Sequence, residues 1–369
     1  MSTRLRGRPE LYTSYGQEMS LLNTRAKALG VLAILAVAVY LPMGMEDDLL
    51  RVLNTGLVFA IGAIGLNLLT GYAGQVSLGH AFFIGVGAYT AAALSGDPDG
   101  RYIGFGITNP LIWVPAAGLV AAACGLLIAP LATRLRGLYL AIVTLGLVFI
   151  GQYFFIEWRS LSGGAQVGRE AATPILFGAD LTRAGAFSEE QKLFWFFLVL
   201  LVIFAVLARN IARSKIGRAF AAIRDRDIAA GVMGVELSRY KLIAFGLSSF
   251  YAGVAGSLMF VASGTLGPEQ FGLLLSVQFI AMVLIGGVAT ISGAIMGAML
   301  IAMLPRIASE LPHYLPFLSR SPIDSPNIFE FELIAYGALI VAFLLFEPRG
   351  LFGIWLRIRT YWKSFPFSY

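Results

Sequence analysis

The sequence predicts an all-α polytopic membrane protein with about ten transmembrane helices. Three observations lead there. Mean hydropathy is +0.78 over 369 residues, well outside the range of soluble domains. Apolar runs such as LFWFFLVLLVIFAVLA (193–208) are unbroken, whereas a membrane β-barrel would alternate apolar and polar residues in segments of about ten. Only 13% of residues are charged, and most of them stand between the apolar runs.

A hydrocarbon core about 30 Å thick needs roughly 20 apolar residues per helix. Residues 1–27, basic and polar, read as a cytoplasmic N-terminal arm. The first apolar run, 28–45, follows them as a signal peptide would. Glu46, Asp47 and Asp48 come next instead of a small-residue cleavage site, so this run is expected to stay as a helix. Runs at 50–69 and 76–95 are separated by a Gly-rich kink, GYAGQ (71–75). The spans 111–133 and 137–157 flank Arg134 and Arg136, and 193–209 precedes a charged island. After the island come 241–262, 271–288, 293–308 and 331–347, the middle two meeting at the tight GGVATISG (286–293). Residues 28–348 thus form one transmembrane domain, and 349–369 form a basic cytoplasmic tail.

The placement of charge tests this count. With the N-terminus inside and sides alternating, the inner segments hold 19 of the 27 Lys and Arg, and the outer ones 15 of the 21 Asp and Glu. One missed helix would reverse every later segment, so the asymmetry favours ten spans with both termini cytoplasmic. The net charge of +6 is then accounted for by topology and anionic lipid, without a nucleic-acid partner. Two outer loops are long, 158–192 and the Pro-rich 309–330, which is expected to lie along the membrane surface.

Small residues recur four apart, as in Ser249/Gly253, Ala252/Gly256 and Gly293/Gly297, with Gly62, Gly65, Gly85 and Gly87 nearby. They mark close helix packing and carry no function of their own. Polar residues at membrane depth are more informative, because each needs a partner or water. Asn67, Gln75, Ser77 and His80 gather around the kink, with Tyr139, Thr144 and Gln278 in later spans. These seven are the candidate translocation-path residues. His80 fits a satisfied structural histidine as well as a path-lining one. The kink itself is the better path clue, since irregular backbone at this depth survives only in protein or beside a cavity.

Enzyme chemistry is not legible. There is no H-E-x-x-H or C-x-x-C, and the single cysteine, Cys124, reads as a packing residue. Residues 163–170 imitate a phosphate loop, but Arg169 and Glu170 replace its Lys and Ser/Thr. Near absence of charge within the spans also disfavours an ion-driven secondary carrier, which would bury coupling carboxylates.

The charged island, SKIGRAFAAIRDRDIAAGVMG (214–234), sits within the inner segment 210–240. Arg224 and Asp227 stand three apart, a spacing that places them on one helical face where they could pair with the partner or with each other. Alanines at 221, 222, 229 and 230 allow close approach to a partner. A plain topology loop binding anionic lipid is the competing reading, but it needs neither acids nor alanine pairs.

Taken with RLRGLYLAIVTLGLVFI (134–150), SRYKLIAFGLSSFYAGVAGSL (238–258), MVLIGGVATISGAIMGA (282–298), NLLTGYAGQVSLGHAFFIGVGAY (67–89) and FEPRGLFG (346–353), the chain resembles the membrane permeases of ABC importers for branched-chain amino acids, M-type subunit. The resemblance covers most of 50–355. It implies the ABC-importer permease fold and makes the island a coupling segment for the ATPase: Arg218, Ala221, Ile223, Arg224, Asp225, Asp227, Ala229, Ala230 and Gly234. The general permease pattern is Glu-Ala-Ala, three residues, Gly; here Ile228 stands in place of the Glu, ahead of Ala229, Ala230 and Gly234. The partners implied are a second homologous permease, two cytoplasmic ABC ATPases, a periplasmic substrate-binding protein and membrane lipid. No cofactor is expected, ATP being hydrolysed by the partner subunits. The implied location is a bacterial inner membrane. Urea, short amides and aromatic acids stay open as other cargoes of the same architecture.

Overall fold

The computed structural model describes residues 25–364 except 136, 165–167, 172, 177, 184, 315–326 and 348. The N-terminal arm therefore lies almost wholly outside the described residues, as does most of the Pro-rich loop. Each apolar run found in the sequence is helical. In chain order the helices are α1 (Arg25–Tyr40), α2 (Asp47–Asn67, continued by a π turn at Leu68–Tyr72), α3 (His80–Ser95), α4 (Pro110–Arg134) and α5 (Leu138–Glu157). After the short α6 (Arg159–Ser162) come α7 (Glu189–Arg213), α8 (Lys215–Val232), α9 (Leu237–Ser263) and α10 (Leu273–Gly286). The last three are α11 (Ile291–Tyr314), α12 (Ile328–Phe346) and α13 (Gly350–Ser364).

Among the described residues, six helices are long and apolar enough to cross a membrane: α2, α4, α5, α7, α9 and α11. The apolar stretches of α1, α3, α10 and α12 are shorter, at 10–17 residues. Two of these are short because the chain breaks where the sequence suggested: α3 starts only at His80 after the irregular 73–79, and α10 stops at Gly287, whose φ is +130°. Helix starts follow their caps. Ser188 and Gln191 form a capping box ahead of α7, and Asn109 with Pro110 opens α4. One expectation is corrected: α11 continues through Pro312 to Tyr314, so residues 309–314 are helical and not part of a surface loop.

The core is organised on α9, which lies between α3 and α4 and also packs on α2. Missing side chains make this possible. A Cβ on Gly256 would strike the Ile84 carbonyl of α3, and one on Gly87 would strike the Gly253 backbone. Gly253 also meets Ala117 and Gly118 of α4, and Gly125 meets Ser249. A second seam joins α10 to α11, where Gly297 abuts Met282 and Gly293 abuts Gly286. Lipid solvates Leu as well as a neighbouring helix does, so this backbone-level contact is what holds such helices together.

The connections separate to two ends of the bundle. At one end, β1 (Arg169–Glu170) pairs antiparallel with β4 (Thr265–Leu266), and β2 (Ile175–Leu176) with β3 (Ala179–Asp180). These two-residue ladders are the small exception to an all-α chain. Ile103 N–H donates to the Ser160 carbonyl here, and Arg51 of α2 pairs with Glu190 of α7 at 2.9 Å. Burial holds Arg169 below the usual arginine range. The opposite end gathers residues 68–79, α8 and the 287–290 turn.

Candidate functional site

The opposite end is a junction built around the broken segment. The π turn at Leu68–Tyr72 widens the end of α2, and Gly74, at φ +67°, turns the chain back toward α3. π turns of this kind are often found at functional sites. The broken backbone is satisfied from several directions. Thr144 Oγ1 of α5 accepts from Leu78 N–H at 2.9 Å, and Ser77 Oγ accepts from Gly79 N–H at 3.2 Å. Gln75 donates to the Ala73 carbonyl at 3.3 Å. Ser276 Oγ of α10 accepts from Ala81 N–H at 3.0 Å, fixing the first turn of α3.

Asn67 spans the junction. Its Nδ2 donates to the Thr290 carbonyl and its Oδ1 accepts from Ala289 N–H, both at 2.8 Å. Ala289 has φ +58°, a left-handed conformation that costs a non-glycine residue roughly 1 kcal/mol or more. The buried Asn67 side chain thus pins the strained turn between α10 and α11. His80 is also committed: Nε2 lies 3.0 Å from the Gly62 carbonyl, and its ring packs on Phe279 at 5.0 Å between centroids. A carbonyl oxygen only accepts, so this contact requires the proton on Nε2.

The predicted path residues therefore separate. Asn67, Gln75, Ser77, His80 and Thr144 are all buried around the broken segment, bonded to backbone. Tyr139 is 73% exposed on α5, and Gln278 is half-buried on α10. A cavity of about 650 Å³ opens at the far end of the bundle, lined by Arg101, Tyr102, Arg169 and Glu170 and by none of the seven.

Against this junction lies α8. Ser214 caps it, accepting from Ile216 N–H at 3.1 Å. Phe220 and Ile223 are buried, and Phe220 packs in an apolar cluster with Leu69, Ala73, Leu140 and Phe245. The helix is broken once: Arg226 has φ −158° and ψ 102°, so the segment is two short helices. This corrects the expectation that Arg224 and Asp227 share a face. Arg224 instead pairs with its neighbour Asp225 at 3.1 Å. Its guanidinium also donates to the Gly71 carbonyl at 3.2 Å, and its backbone and Cβ would collide with a side chain at Gly74. Arg224 is thus the polar link between the charged segment and the broken helix, beside the apolar contact of Phe220 with Leu69 and Ala73.

The other coupling candidates distribute by exposure. Ala221 is half-buried, Ala230 is buried, and Asp227 is partly covered. Arg218, which donates to the Arg213 carbonyl at 3.3 Å, is exposed, as are Asp225 and Ala229. Gly234, at φ +87°, ends the segment with open space around its Cα. Three residues outside the predicted set stand out. Ile228, Val232 and Met233 are 71%, 85% and 85% exposed, an apolar tip on a charged segment. The signal was present in the sequence, since Ile228 occupies the place of the usual Glu.

The chain matches the family described as "Branched-chain amino acid transport system / permease component" over residues 49–344. It belongs to that family. It is 30% identical to the high-affinity branched-chain amino acid transport system permease protein LivM of Salmonella typhimurium, over 89% of this chain and 76% of the relative, and equally to LivM of Escherichia coli. The permease protein LivH of Salmonella typhimurium is 24% identical over 81% of this chain and 92% of its own length. The autoinducer 2 import system permease LsrC of Yersinia enterocolitica is 23% identical over 79% of this chain and 78% of its own. No solved structure matches. The chain is a transport permease component and not an enzyme.

Proposed function

We propose that this chain is the M-type membrane subunit of an ATP-driven importer of branched-chain or other hydrophobic amino acids. It crosses a bacterial inner membrane ten times, with both termini in the cytoplasm. It pairs with a homologous permease, two cytoplasmic ATPases and a periplasmic binding protein that selects the cargo. One observation carries the coupling part of this reading: α8 reaches the broken helix directly through Arg224, at Gly71 and Gly74. The apolar tip formed by Ile228, Val232 and Met233 enters the groove of the ATPase. Movement of that tip on ATP binding shifts the 68–79 segment, and with it the turn held by Asn67. The positive-inside asymmetry supports the sidedness, and similarity to LivM supports the cargo class.

Labelled leucine uptake by vesicles tests the reading. Uptake is expected only with both permeases, the ATPase pair, the binding protein and ATP. Uptake by this chain alone in an ion gradient would overturn it. If the assembled set hydrolyses ATP but ignores leucine, the cargo is wrong and the architecture stands; urea, short amides and aromatic acids follow. The docking surface is tested by Met233→Asp, which places a charge on the apolar tip. The variant is expected to insert normally and lose the ATPase on co-purification, and retained ATPase would remove the tip from the interface.

A further inference from the structure

Helix α13 follows the last apolar helix, and its surface divides into two unlike faces. One face packs on the bundle: Phe352 and Leu356 are half-buried, Gly353 is buried, and the helix touches α10 and α11. On the other, Ile354, Trp355 and Ile358 are 37%, 53% and 48% exposed. At 3.6 residues per turn, these three span an arc of about 100°. Apolar side chains are thus presented on the exposed side of the helix.

The level of α13 says what covers it. Gly350, at φ +65°, fits where α10 ends, against the Ile285 carbonyl and the Gly286–Gly287 backbone. Helix α11 begins four residues after Gly287, at Ile291, and α12 has just ended at Phe346. Three apolar helices therefore terminate at the height where α13 starts, which marks the boundary between hydrocarbon and headgroups. Leu345 and Phe346, 72% and 83% exposed, carry the apolar surface off α12 toward α13. Charge is complementary to an anionic surface: from Gly350 to the end of the chain there are Arg357, Arg359 and Lys363 and no Asp or Glu. Arg357 meets the preceding Glu347 at 2.6 Å, which ties the helix back to the end of α12.

We infer that α13 lies flat in the headgroup–acyl boundary of the leaflet beside the junction, with Ile354, Trp355 and Ile358 seated among the acyl chains and the net positive charge of the segment facing anionic headgroups. A tryptophan beside aliphatic residues on one face and basic residues elsewhere is the composition of an interfacial helix. The inference depends on the chain being a membrane permease, not on its cargo. Through Gly350 and Gly287 the helix rests on the turn that Asn67 pins, so the leaflet becomes one of the supports of that turn.

The test uses the full chain, Cys124→Ala, with a nitroxide label at Ile358→Cys or, on the side of the helix opposite the apolar arc, at the exposed Thr360→Cys. The vesicles are phosphatidylcholine alone or mixed equally with phosphatidylglycerol. Collision with oxygen is expected to exceed collision with a water-soluble nickel chelate several-fold at 358, with the opposite order at 360. The preference at 358 is expected to weaken severalfold without phosphatidylglycerol. Nickel access at both positions would mean a solvated helix and overturn the inference. Protection of 358 from both reagents would mean protein cover, a second copy or partner, and overturn it equally. Identical values in both lipids would overturn the role of anionic headgroups. A label that perturbs the helix is guarded against by unlabelled protein in bromine-labelled lipid, where Trp355→Phe should remove a quenched component of the fluorescence; no loss counts against insertion.

Discussion

The middle of the bundle and its junction end are held together by different means. In the middle, α3, α4 and α9 meet through absent side chains: Gly87 on Gly253, Gly256 on Ile84, Gly125 on Ser249. At the junction, polar groups reach to backbone: Asn67 to residues 289 and 290, Thr144 to Leu78, Arg224 to Gly71. A close-packed seam has one good arrangement, and displacing it loses contact everywhere at once. A hydrogen bond nets only about 0.5–1.5 kcal/mol and can be exchanged for another. The seams are therefore expected to keep one arrangement, and the junction is where an exchange of partners costs least.

The largest expected effect comes from breaking a seam. Gly256→Leu drives its side chain into the Ile84 carbonyl and the backbone near Ala88, which cannot step aside as a flexible side chain would. Overpacking commonly costs about 1–3 kcal/mol, and a backbone obstacle puts this case at the upper end or beyond. Yield of monodisperse protein and its melting temperature are expected to collapse. Gly337→Leu, with open space around Gly337 on α12, is the control and should melt as the parent does. Equal behaviour of the two would refute the seam.

Asn67→Leu comes next. It leaves the part-buried Ala289 N–H without its partner, at about 1–3 kcal/mol or less, while the Thr290 carbonyl loses one of its two donors and keeps Ala294 N–H. Melting should fall measurably, and uptake several-fold. Asn67→Asp keeps the acceptor for Ala289 but buries a carboxylate against the Thr290 carbonyl, and should lower melting at least as much as Leu does. An Asn67 that touched cargo instead would alter apparent affinity while melting stayed unchanged.

Arg224→Ala removes the polar link between the junction and the charged segment and leaves the apolar contact of Phe220 in place. Exposed ion pairs contribute about 0–1 kcal/mol, so losing Asp225 as a partner should hardly change stability. The ATPase should still co-purify and hydrolyse ATP, while leucine carried per ATP falls about tenfold and Arg224→Lys restores part of it. A variant with unchanged transport per ATP would remove Arg224 from the coupling route.

How much of this was legible depends on how many residues each feature averages over. A span is a property of some twenty residues in lipid, so the six long apolar helices and the four shorter ones could be read as apolar runs, and the kink at Gly71 and Gly74 could be read from its glycines. The break at Arg226 could not, because nothing in RDRD disfavours helix and the 3.6-residue period runs straight through it. Asn67 was recognised as a costly polar group, but its partners lie more than two hundred residues away in the chain, beyond any local pattern. The two-residue strands carry no period at all. Ile228 was visible as a departure from the usual pattern, and only its exposure, with that of Val232 and Met233, turns the departure into a surface.

Tyr139→Phe should have the smallest effect and be the most telling about where the comparison stops. Tyr139 stands on the second residue of α5, 73% exposed, just after the turn at Gly137. A hydroxyl on that outward face adds nothing to the packing of this chain, so melting should not change. If lipid covers the face, uptake by the assembled importer should stay within about twofold, since surface substitutions away from special features usually change stability by less than 0.5 kcal/mol. A tenfold loss with normal assembly would mean that the partner permease covers α5 there. The path would then run along the seam between two permeases, and the buried group at Asn67, Ser77 and Thr144 would be its support and not its wall.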